Sequence, residues 1–397
     1  MKRIVVVGAS LAGLRAVETL RAEGYDGSLA LVGAEPWVPY DRPPLSKQVL
    51  RNEVEPDSVR LRPEADYADL DVELVLGRRA AELDVAARKV ALDGGGCLDF
   101  DGLLVATGST PRWLGGVPRL GGVHVLRTLE DAVAIRDAMA AGGRVVVVGA
   151  GFIGAEVAWA ARSRGLDVTV LEALPVPLAH ALGPGMGKVA AALMRDHGID
   201  LRCGTGVDSF AGTHRVEAVR LADGTTVPAD LVVVGVGAHP ATEWLESSGL
   251  PVDGGLRCDA TCLVSGAAGI YAAGDVARWD HPHYGAIRIE HWTNAVEQAG
   301  AAARNMLCGP GSAVPFAPVP YFWSDQFGLK IQFVGLGAEA DEIRIVSGTP
   351  GDYRFAAFYG RNGRLGFAQP KVVTKARRMI ADGVPFAAAV AAVTGQN

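Results

Sequence analysis

A glycine-rich turn near the start of the chain is the first group of residues whose spacing indicates chemistry. Residues 8–13 read Gly-Ala-Ser-Leu-Ala-Gly, follow the β-branched run at 3–7 and precede an apolar run that predicts a helix. A strand, a tight turn and a helix in this order bind a pyrophosphate, because backbone N–H groups and the helix dipole face the anion. Ser10 replaces the usual middle glycine, so this copy alone also fits a turn that only packs a helix against a strand.

The same pattern recurs in complete form in the middle of the chain. Residues 149–154 read Gly-Ala-Gly-Phe-Ile-Gly and follow a run of valines at 145–148. In both copies an acidic residue ends the next strand, Glu35 in the first and Glu172 in the second, where a carboxylate accepts hydrogen bonds from an adenosine ribose. Glu172 lies roughly 20 residues after Gly154, as expected for such a carboxylate.

The surroundings of Glu172 favour NADH over NADPH. Its carboxylate would repel a 2′-phosphate, and no arginine or lysine follows it before Lys188. One dinucleotide fold suits an ordinary dehydrogenase, whereas two in one chain predict two bound dinucleotides. We therefore expect FAD and NADH as cofactors.

The composition is that of a globular protein with several domains. The 397 residues are 49% hydrophobic and 21% charged, and this length predicts two or three domains. The net charge of −6 argues against a general nucleic-acid binder, which needs a basic surface. No apolar stretch is long enough to cross a bilayer, and the first strand starts too early to leave room for a signal peptide. We therefore expect a cytoplasmic protein without membrane or nucleic-acid partners.

Five further motifs identify a family. In chain order they are Tyr-Asp-Arg-Pro-Pro-Leu-Ser-Lys at 40–47, Ala-Thr-Gly-Ser-Thr-Pro-Arg at 106–112, Tyr-Ala-Ala-Gly-Asp at 271–275, Glu-His-Trp-Thr-Asn-Ala at 290–295 and Tyr-Phe-Trp-Ser-Asp-Gln at 321–326. With the two glycine turns, they make essentially the whole chain resemble the FAD-dependent NADH:ferredoxin reductases of bacterial oxygenase and cytochrome P450 systems. The motifs at 106–112 and 271–275 are general to flavoproteins with two dinucleotides, whereas those at 40–47 and 321–326 are more specific.

The resemblance implies an α/β fold with two Rossmann-like dinucleotide-binding domains, similar to glutathione reductase, and a small α+β C-terminal domain. The FAD-binding domain is expected in two parts, residues 1–112 and 240–316, around an NADH-binding domain at 113–239. The C-terminal domain covers 317–397. There we predict strands at 330–335, 342–346, 353–359 and 364–369, followed by helices at 372–381 and 386–393.

The resemblance makes Lys47 and Glu156 the catalytic residues. Lys47 is expected near the reactive edge of the flavin, where a fixed cation stabilises the charge of the reduced ring. In similar reductases the glutamate approaches the nicotinamide and can pair with the lysine. From the residues alone, Arg42 and Lys47 also suit a solvated loop, and Glu156 also suits a helix surface.

The resemblance also implies cofactor contacts along the whole chain. Asp275 is expected to open a helix and to hold the ribityl chain and pyrophosphate of FAD. The segments of Trp292 and Trp323 are expected to reach the flavin, although large apolar side chains also suit a core. The full set of expected cofactor contacts is Gly8, Ser10, Leu11, Ala12, Gly13, Glu35, Arg42, Lys47, Ala106, Thr107, Gly108, Arg112, Gly149, Gly151, Phe152, Ile153, Gly154, Glu156, Glu172, Gly237, Gly274, Asp275, His291, Trp292 and Trp323.

The redox cysteines of related disulfide reductases are missing. No cysteine precedes Cys97, and position 42, in the motif that faces the flavin, is Arg. The five cysteines lack disulfide or zinc spacing, so we expect them to be reduced and expect no metal site. Without a dithiol relay, electrons must leave the flavin directly, and flavin can take up a hydride and release single electrons. The expected acceptor is a small [2Fe–2S] ferredoxin that serves a cytochrome P450 or a Rieske-type oxygenase.

A basic cluster near the C-terminus could attract such an acidic ferredoxin. It consists of Lys371, Lys375, Arg377 and Arg378, and an ordinary solvated helix face explains it equally well. The oligomeric state is open, with a homodimer as one alternative.

Three other functions fit parts of the sequence. A rubredoxin reductase is a close variant. An NADH oxidase or peroxidase would give both electrons to oxygen species, which the missing cysteine near the flavin disfavours. A signalling flavoprotein that resembles apoptosis-inducing factor would bind NADH with little turnover, and the lack of long basic runs disfavours it.

Overall fold

The computed structural model describes residues 1–337, 340–369 and 373–395. The contacts divide the chain into two units. The first unit consists of Met1–Asp41, Val59–Thr110 and Ala238–Pro318, and the second of Arg42–Ser58, Pro111–Gly237 and Val319–Asn397. Each unit contains one of the two glycine turns, and the segment with Arg42 and Lys47 belongs to the second unit. The finer division into four domain segments stays a prediction.

A five-stranded parallel sheet forms the centre of the first unit. Its inner strands are nearly continuous runs of Val, Ile and Leu, because both faces of a parallel sheet are buried. Helix Leu11–Ala22 follows the middle strand and packs against helix Trp292–Cys308. In order across the sheet, the strands are Ile270–Ala272, Gly102–Val105, Arg3–Val7, Ser28–Gly33 and Val72–Leu76.

Two three-stranded sheets complete the first unit. One consists of Ala80–Asp84, Lys89–Leu92 and Cys97–Asp99. The other consists of Leu256–Cys258, Ala277–His281 and Gly285–Ile287.

The predicted helix after Asp275 is wrong. The chain makes a single 3₁₀ turn at Gly274–Val276 and then enters strand Ala277–His281. This strand pairs with a neighbour on each side, so the residues after Asp275 belong to a sheet. Asp275 therefore lies in a turn rather than at the start of a helix.

The second unit contains another five-stranded parallel sheet. The helices around it are Leu129–Ala140, Phe152–Ser163 and Ala179–Asp196, the last with a kink at Gly183 before Pro184. A separate antiparallel sheet consists of Val207–Ala211, Ala218–Leu221 and Thr226–Pro228. The parallel strands, in order, are Asp200–Cys203, Asp167–Glu172, Arg144–Val148, Leu231–Val234 and Val123–Val125.

The C-terminal part of the second unit is an antiparallel sheet with two helices. All four predicted strands are present with small shifts of their ends, and Tyr321–Gln326 is a fifth strand that was not predicted. Helices Val373–Ala381 and Phe386–Thr394 follow, and residue 372 lies outside the described residues. The strands, in order, are Tyr321–Gln326, Leu329–Gly335, Arg364–Gln369, Arg354–Arg361 and Glu342–Thr349.

Short elements connect these layers. A π-helical turn covers Leu45–Val49. The 3₁₀ turns are Pro56–Val59, Glu64–Leu70, Glu243–Ser248, Pro310–Ser312 and Pro350–Asp352, and the short strands are Ser109–Pro111 and Ala238–Pro240. The predicted α/β class with two Rossmann-like sheets and an α+β C-terminal part is confirmed.

Two searches of the described residues were negative. Among them, no helix is long and apolar enough to span a bilayer. In the same part of the chain, no three His, Cys, Asp or Glu side chains converge in a way that could hold a metal ion.

Candidate active site

The first glycine turn packs so tightly that two of its glycines cannot carry a side chain. Gly8 has φ +122°, and its N–H donates to the carbonyl oxygen of Val32 at 2.8 Å. A Cβ at Gly8 would overlap the carbonyl oxygen of Ala106, and one at Gly13 would overlap the carbonyl oxygen of Gly8. The turn therefore brings the helix N-terminus close to the end of the strand, as pyrophosphate binding requires.

Ser10 occupies the N-cap position of helix Leu11–Ala22. Its carbonyl oxygen accepts the N–H of Leu14 at 2.9 Å, but its side chain makes no capping hydrogen bond with the helix. The first helical residues Leu11 and Ala12 are buried. Because no side chain in the described structure caps this helix end, its N–H groups suit an anionic ligand.

Glu35 lies just beyond strand Ser28–Gly33, at the carboxyl edge of the first sheet. The hydroxyl of Tyr40 donates to Glu35 Oε2, which orients the half-buried carboxylate. Ligands of open α/β sheets bind at this edge. The geometry suits a ribose-binding carboxylate.

Two of the general flavoprotein motifs meet at the same edge. The Ala106 N–H donates to Val7 O at 2.7 Å, and Thr107 Oγ1 donates to Ala241 O at 2.8 Å. Ser109 Oγ donates to Asp275 Oδ2 at 2.9 Å. The Ser109–Asp275 bond therefore joins the motifs at 106–112 and 271–275.

Gly108 and Gly274 both have positive φ angles, +72° and +78°. The Gly274 N–H donates to Gln298 Oε1 at 2.9 Å, which ties the 3₁₀ turn to helix Trp292–Cys308. Asp41 Oδ1 accepts the indole N–H of Trp292 at 2.8 Å. Trp292 is therefore a hydrogen-bonded residue at the start of that helix and not only a core aromatic.

His291 immediately precedes this helix and is held in its neutral form. Burial lowers the pKa of His291 to about 4, and the nearby carboxylate of Asp275 opposes that shift only partly. At neutral pH the imidazole therefore carries no charge and offers one donor and one acceptor.

The second glycine turn has the same construction as the first but carries a glycine at its middle position. Gly149 has φ +98°, its N–H donates to Leu171 O at 2.7 Å, and a Cβ there would overlap the Gly235 carbonyl oxygen. A Cβ at Gly154 would overlap the Gly149 carbonyl oxygen. At Gly151, by contrast, nothing lies within 4 Å of the added Cβ among the described residues. Gly151 therefore faces open space at the helix N-terminus, where a pyrophosphate fits.

Glu172 is fixed beside this turn by backbone groups. Its Oε2 accepts the Ala150 N–H at 2.7 Å, and its Oε1 accepts the Leu174 N–H at 2.8 Å. Each carboxylate oxygen has lone pairs left for ribose hydroxyls. The geometry is consistent with the predicted ribose contact.

The remaining predicted contacts of the second unit have mixed surroundings. The Phe152 ring packs against Phe322 and Phe333 at centroid distances of 4.9 and 5.7 Å, as a core residue does. Ile153 is 46% exposed. Gly237 has φ +96° and accepts the Arg112 N–H at 2.9 Å.

Lys47 and Glu156 form a buried ion pair in the second unit. Their side chains are 7% and 3% exposed, and Lys47 Nζ lies 2.9 Å from Glu156 Oε2. Lys47 lies on the π-helical turn Leu45–Val49, and Nζ also donates to Pro43 O at 3.2 Å. Single π-helical turns occur frequently at functional sites. The solvated-loop and helix-surface interpretations of these two residues are therefore wrong.

Two serine hydroxyls complete the surroundings of Glu156. Ser46 Oγ donates to Oε2 at 2.5 Å, and Ser324 Oγ donates to Oε1. Gln326 Nε2 donates to Ser324 Oγ at 2.9 Å, so the serine proton is directed to the carboxylate. Charge-assisted hydrogen bonds of this kind offset the cost of burying a carboxylate. The cluster holds a lysine ammonium in a fixed, water-poor position.

Sequence reasoning missed Ser46, Ser324 and Gln326 as site residues. All three are polar, 2% exposed or less, and lie inside the motifs at 40–47 and 321–326. Polar residues within otherwise apolar, family-specific motifs were the available signal. Their contacts around Glu156 were not predictable, because the residues of this cluster come from three segments that are far apart in the sequence.

Arg42 and Trp323 flank this cluster in the chain. Arg42 Nη1 donates to Arg127 O at 2.6 Å. Trp323 is half-buried and stacks on Tyr321 at a centroid distance of 6.1 Å. Both residues therefore have defined partners in the second unit.

Two of the cysteines, Cys258 and Cys262, lie in the core of the first unit. All five are free, and Cys258 and Cys262 are completely buried. Burial raises the pKa of Cys258 well above the usual thiol range and that of Cys262 to about 12. Such thiols remain protonated and unreactive, since the thiolate is the nucleophile.

Known proteins match the chain along nearly all of its length. It is 38% identical to rhodocoxin reductase of Rhodococcus erythropolis, over 98% of this chain and 92% of that protein. It is also 38% identical to the ferredoxin--NAD(+) reductase component of the anthranilate 1,2-dioxygenase system of Burkholderia cepacia, over 96% of this chain and 94% of that protein. The structure of the covalent putidaredoxin reductase–putidaredoxin complex superposes with a TM-score of 0.92 at 33% identity, covering 100% of this chain and 99% of that one.

Family matches divide the chain in the same way as its sheets. Residues 321–396 match the reductase C-terminal family, which corresponds to the antiparallel sheet and its helices. Residues 2–299 match the pyridine nucleotide-disulphide oxidoreductases and contain both glycine turns. The chain therefore belongs to the pyridine nucleotide-disulphide oxidoreductase family.

Proposed function

We propose that this chain is an NADH:ferredoxin reductase that uses FAD and supplies electrons singly to a small [2Fe–2S] ferredoxin. The ferredoxin would serve a cytochrome P450 or a Rieske-type oxygenase. Full-length relatives that are named as reductases of such systems support the acceptor class and favour a ferredoxin over a rubredoxin. The single structural observation that supports the chemistry is the buried Lys47–Glu156 pair with its serine donors.

FAD is assigned to the first glycine turn and NADH to the second. In the first unit, Gly8, Gly13 and the uncapped helix end would hold a pyrophosphate, with Glu35 on the ribose. In the second, the open space at Gly151 and the anchored Glu172 would hold NADH. Glu172 would repel a 2′-phosphate, so NADPH should be the poorer donor.

Lys47 supplies the positive charge that hydride transfer requires. Bound FAD supplies the redox chemistry, since it accepts two electrons together and returns them one at a time. The Lys47 ammonium stabilises negative charge only if it is held still and kept from water. Glu156 holds the ammonium in that way, and Ser46 and Ser324 in turn fix the Glu156 carboxylate.

The two closely spaced cysteines of the chain support a one-electron acceptor. The buried, protonated thiols at Cys258 and Cys262 offer no dithiol relay, which favours direct transfer to a one-electron acceptor. The five free cysteines favour a reducing compartment, and the cytoplasm is the proposed location. A homodimer is also proposed.

The basic cluster is the proposed ferredoxin contact. Arg378 is 85% exposed on helix Val373–Ala381, whereas Arg377 donates to Val319 O and Lys375 to Ala392 O. Lys371 lies outside the described residues. An exposed cation attracts an acidic partner over about a Debye length of 10 Å at moderate salt.

An anaerobic titration with NADH tests the proposal. Purified protein should show flavin absorbance that bleaches with one NADH per chain, and NADPH should bleach it much more slowly. With a [2Fe–2S] ferredoxin added, NADH should reduce cytochrome c at least ten times faster than without it. A colourless folded protein, or equal cytochrome c rates with and without every ferredoxin tried, would refute the function. Rapid oxygen consumption with NADH alone would instead support an oxidase.

A further inference from the structure

Two amide side chains are buried in the N-terminal half of helix Trp292–Cys308. Asn294 is 4% exposed and Gln298 is 0% exposed. They lie one helical turn apart on the same face, and Asn294 Nδ2 donates to Gln298 Oε1 at 3.2 Å. Burying an amide is unfavourable unless it forms hydrogen bonds, so the partners of these two side chains indicate their role.

Gln298 binds the 3₁₀ turn Gly274–Val276 of the first unit. Its Oε1 accepts the N–H of the buried Gly274 at 2.9 Å. Gly274 has φ +78°, and an added Cβ would lie 3.3 Å from Ala12 Cβ and 3.8 Å from Ala295 Cβ. The 3₁₀ turn therefore lies between the N-terminal turns of two helices, one of which follows the first glycine turn. The hydrogen bond to Gln298 fixes the 3₁₀ turn in this narrow space.

Asn294 determines which end of the Gln298 amide faces the 3₁₀ turn. The two ends have similar shapes, but only the oxygen accepts a hydrogen bond. Asn294 Nδ2 can only donate, so it directs Oε1 and not Nε2 of Gln298 towards both donors. The same Nδ2 donates to the Ile289 carbonyl oxygen at 3.3 Å, which orients Asn294 itself. A chain of hydrogen bonds thus runs from a backbone carbonyl through two amides to the Gly274 N–H.

This chain is not the most stable way to fill the core. Among the described residues, the buried Asn294 Oδ1 has no hydrogen-bond partner. An apolar side chain would avoid the cost of leaving an acceptor unsatisfied. Asn294 is therefore better suited to orienting Gln298 than to stabilising the helix.

Two further contacts hold the same 3₁₀ turn at Asp275. Ser109 Oγ donates to Asp275 Oδ2 at 2.9 Å, and Arg288 Nη1 donates to the Asp275 carbonyl oxygen at 3.0 Å. Gln298 accepts the N–H of the preceding residue. The backbone of the turn is therefore held on both sides of Asp275.

We propose that Asn294 and Gln298 are positioning residues for FAD, which hold the 3₁₀ turn beside the first glycine turn in the arrangement that binds the cofactor. The inference rests on the proposed assignment of FAD to the first unit. A site that is already ordered binds its ligand more tightly than one that has to be ordered on binding. Loss of the amide chain should therefore accelerate the release of FAD.

Release of FAD from the holoprotein tests this role without any turnover. Gln298→Met keeps the length of the side chain but removes the acceptor, so FAD should dissociate about tenfold faster or more. Asn294→Leu removes the donor that orients Gln298, so it should accelerate release by a smaller factor, about threefold or more. The fluorescence of free FAD after dilution of the holoprotein gives the rate.

Hydrogen exchange of the holoprotein locates the effect. The Gly274 N–H is buried and hydrogen-bonded in the wild type and should exchange slowly. Gln298→Met and Asn294→Leu should both accelerate exchange in a peptide that covers residues 271–276. Peptides from the second unit should keep their wild-type exchange.

Asn305 on the same helix provides a matched control. It is 3% exposed, and its side chain bonds to the backbone of Thr261 and Val314 and not to the 3₁₀ turn. Asn305→Leu should lower the free energy of urea unfolding at least as much as Gln298→Met does. It should nevertheless change the rate of FAD release by less than about twofold, because the 3₁₀ turn keeps its acceptor.

Two results would overturn the proposal. One is release of FAD at the wild-type rate from Gln298→Met, or from Asn294→Leu if the first variant does not fold. The other is an equal acceleration in Asn305→Leu, which would reflect general destabilisation. A wild type that binds no FAD would refute the proposed function as well, whereas unchanged release from variants of an FAD-binding wild type would refute only the positioning role.

Discussion

Lys47 and Glu156 differ from the surface ion pairs of this chain because water does not reach them. Most of the other pairs, such as Arg144 with Asp230, are largely exposed, and exposed pairs contribute about 0–1 kcal/mol. A buried pair behaves differently, since removing one partner leaves the other charged and unsolvated. The two serine hydroxyls increase the cost of removing Glu156, because both are oriented to donate to its carboxylate. The cluster therefore combines a structural role with the proposed catalytic one.

A double-mutant cycle at this pair should show strong coupling. Glu156→Gln alone should lower the free energy of unfolding by about 3–5 kcal/mol, because the Lys47 ammonium loses its counter-charge. Lys47→Met alone should cost a similar amount, while the double variant should cost clearly less than the sum. Urea unfolding of the holoprotein gives the free energy of unfolding of the wild type, the two single variants and the double variant. Additive costs would contradict a direct pair.

The same Lys47→Met variant should slow reduction of the bound flavin. Removing one preorganised electrostatic contact typically costs about 10²–10³ in rate. Anaerobic stopped-flow absorbance with NADH measures this step without a ferredoxin. Lys330→Met, which removes an exposed lysine of the C-terminal sheet, should leave the rate unchanged. A Lys47→Met rate within a factor of two of the wild type would remove Lys47 from the chemistry.

His291 gives the fold a predictable response to acid. Its pKa is about 4 in the folded chain because the imidazole is buried, against about 6.5 when unfolded. Between these values the unfolded state binds more protons, so stability falls as the pH falls from about 6.5 towards 4. The loss attributable to His291 is on the order of 2–3 kcal/mol.

Replacing His291 should therefore flatten the acid side of the stability curve. His291→Asn is expected to lose less stability than the wild type between pH 6.5 and 4.5 in urea unfolding. His214→Asn, at an exposed histidine, should follow the wild-type slope. Parallel curves for the His291 variant and the wild type would assign the slope to other groups, such as His281, whose pKa burial also lowers.

At the scale of elements, the two glycine turns share one construction. In each, the first and last glycines allow the backbone to approach a neighbouring carbonyl, and this brings a helix N-terminus to the end of the middle strand. The turns differ in the middle position, which is Ser10 in one and Gly151 in the other. Gly151 faces open space, so no described neighbour requires a glycine there, and the space suits the proposed dinucleotide.

Alanine substitutions in the second turn should separate these two uses of glycine. Gly151→Ala should keep wild-type stability and flavin content but raise the KM for NADH about tenfold or more, because its methyl group enters the phosphate space. Gly154→Ala should destabilise the protein, because its Cβ overlaps the Gly149 carbonyl oxygen. Steady-state kinetics and urea unfolding distinguish the two effects.

A matched glycine controls for the extra methyl group itself. Gly115 is exposed, has no positive φ angle and also has open space around an added Cβ. Gly115→Ala should change neither KM nor stability. An unchanged KM in Gly151→Ala would argue against NADH binding at this turn.

At the scale of the whole molecule, charge is distributed unevenly. The chain carries a net charge of −6, yet helix Val373–Ala381 holds three cations, and Arg378 is 85% exposed while it lies 3.7 Å from the Asp382 carboxylate. A local basic patch on an acidic protein attracts an acidic partner to one place and repels it elsewhere. Such steering affects association rates more than the chemistry of the bound complex.

Reversing the charge of Arg378 should reduce ferredoxin turnover selectively. Arg378→Glu is expected to lower kcat/KM for ferredoxin about tenfold at low salt, and less at high salt, where screening is stronger. NADH oxidation with a small chemical acceptor should be unchanged, since it needs no protein docking. Arg220→Glu reverses the charge of an exposed arginine elsewhere in the second unit and provides the control. Equal losses for both variants would point to net charge rather than a docking surface.

Local sequence determined the two parallel sheets and their glycine turns. Residues 4–7 and 145–148 are buried and apolar throughout, as strands covered on both faces have to be, so they can be recognised without a structure. In the turns, contacts within the local segment leave no room for a side chain, so glycine is required there. The acidic residues Glu35 and Glu172 can be identified because each comes directly after a strand. These features depend on neighbours along the chain.

Only the tertiary structure determined the cluster around Glu156. Ser46, Glu156 and Ser324 come from three distant segments, and nothing near Lys47 in the sequence shows that its loop is a buried π-helical turn. Asp275 lies in a 3₁₀ turn because strand Ala277–His281 has partners on both sides. In each case the deciding contact joins residues that only folding brings together, and local propensity carries no information about such contacts.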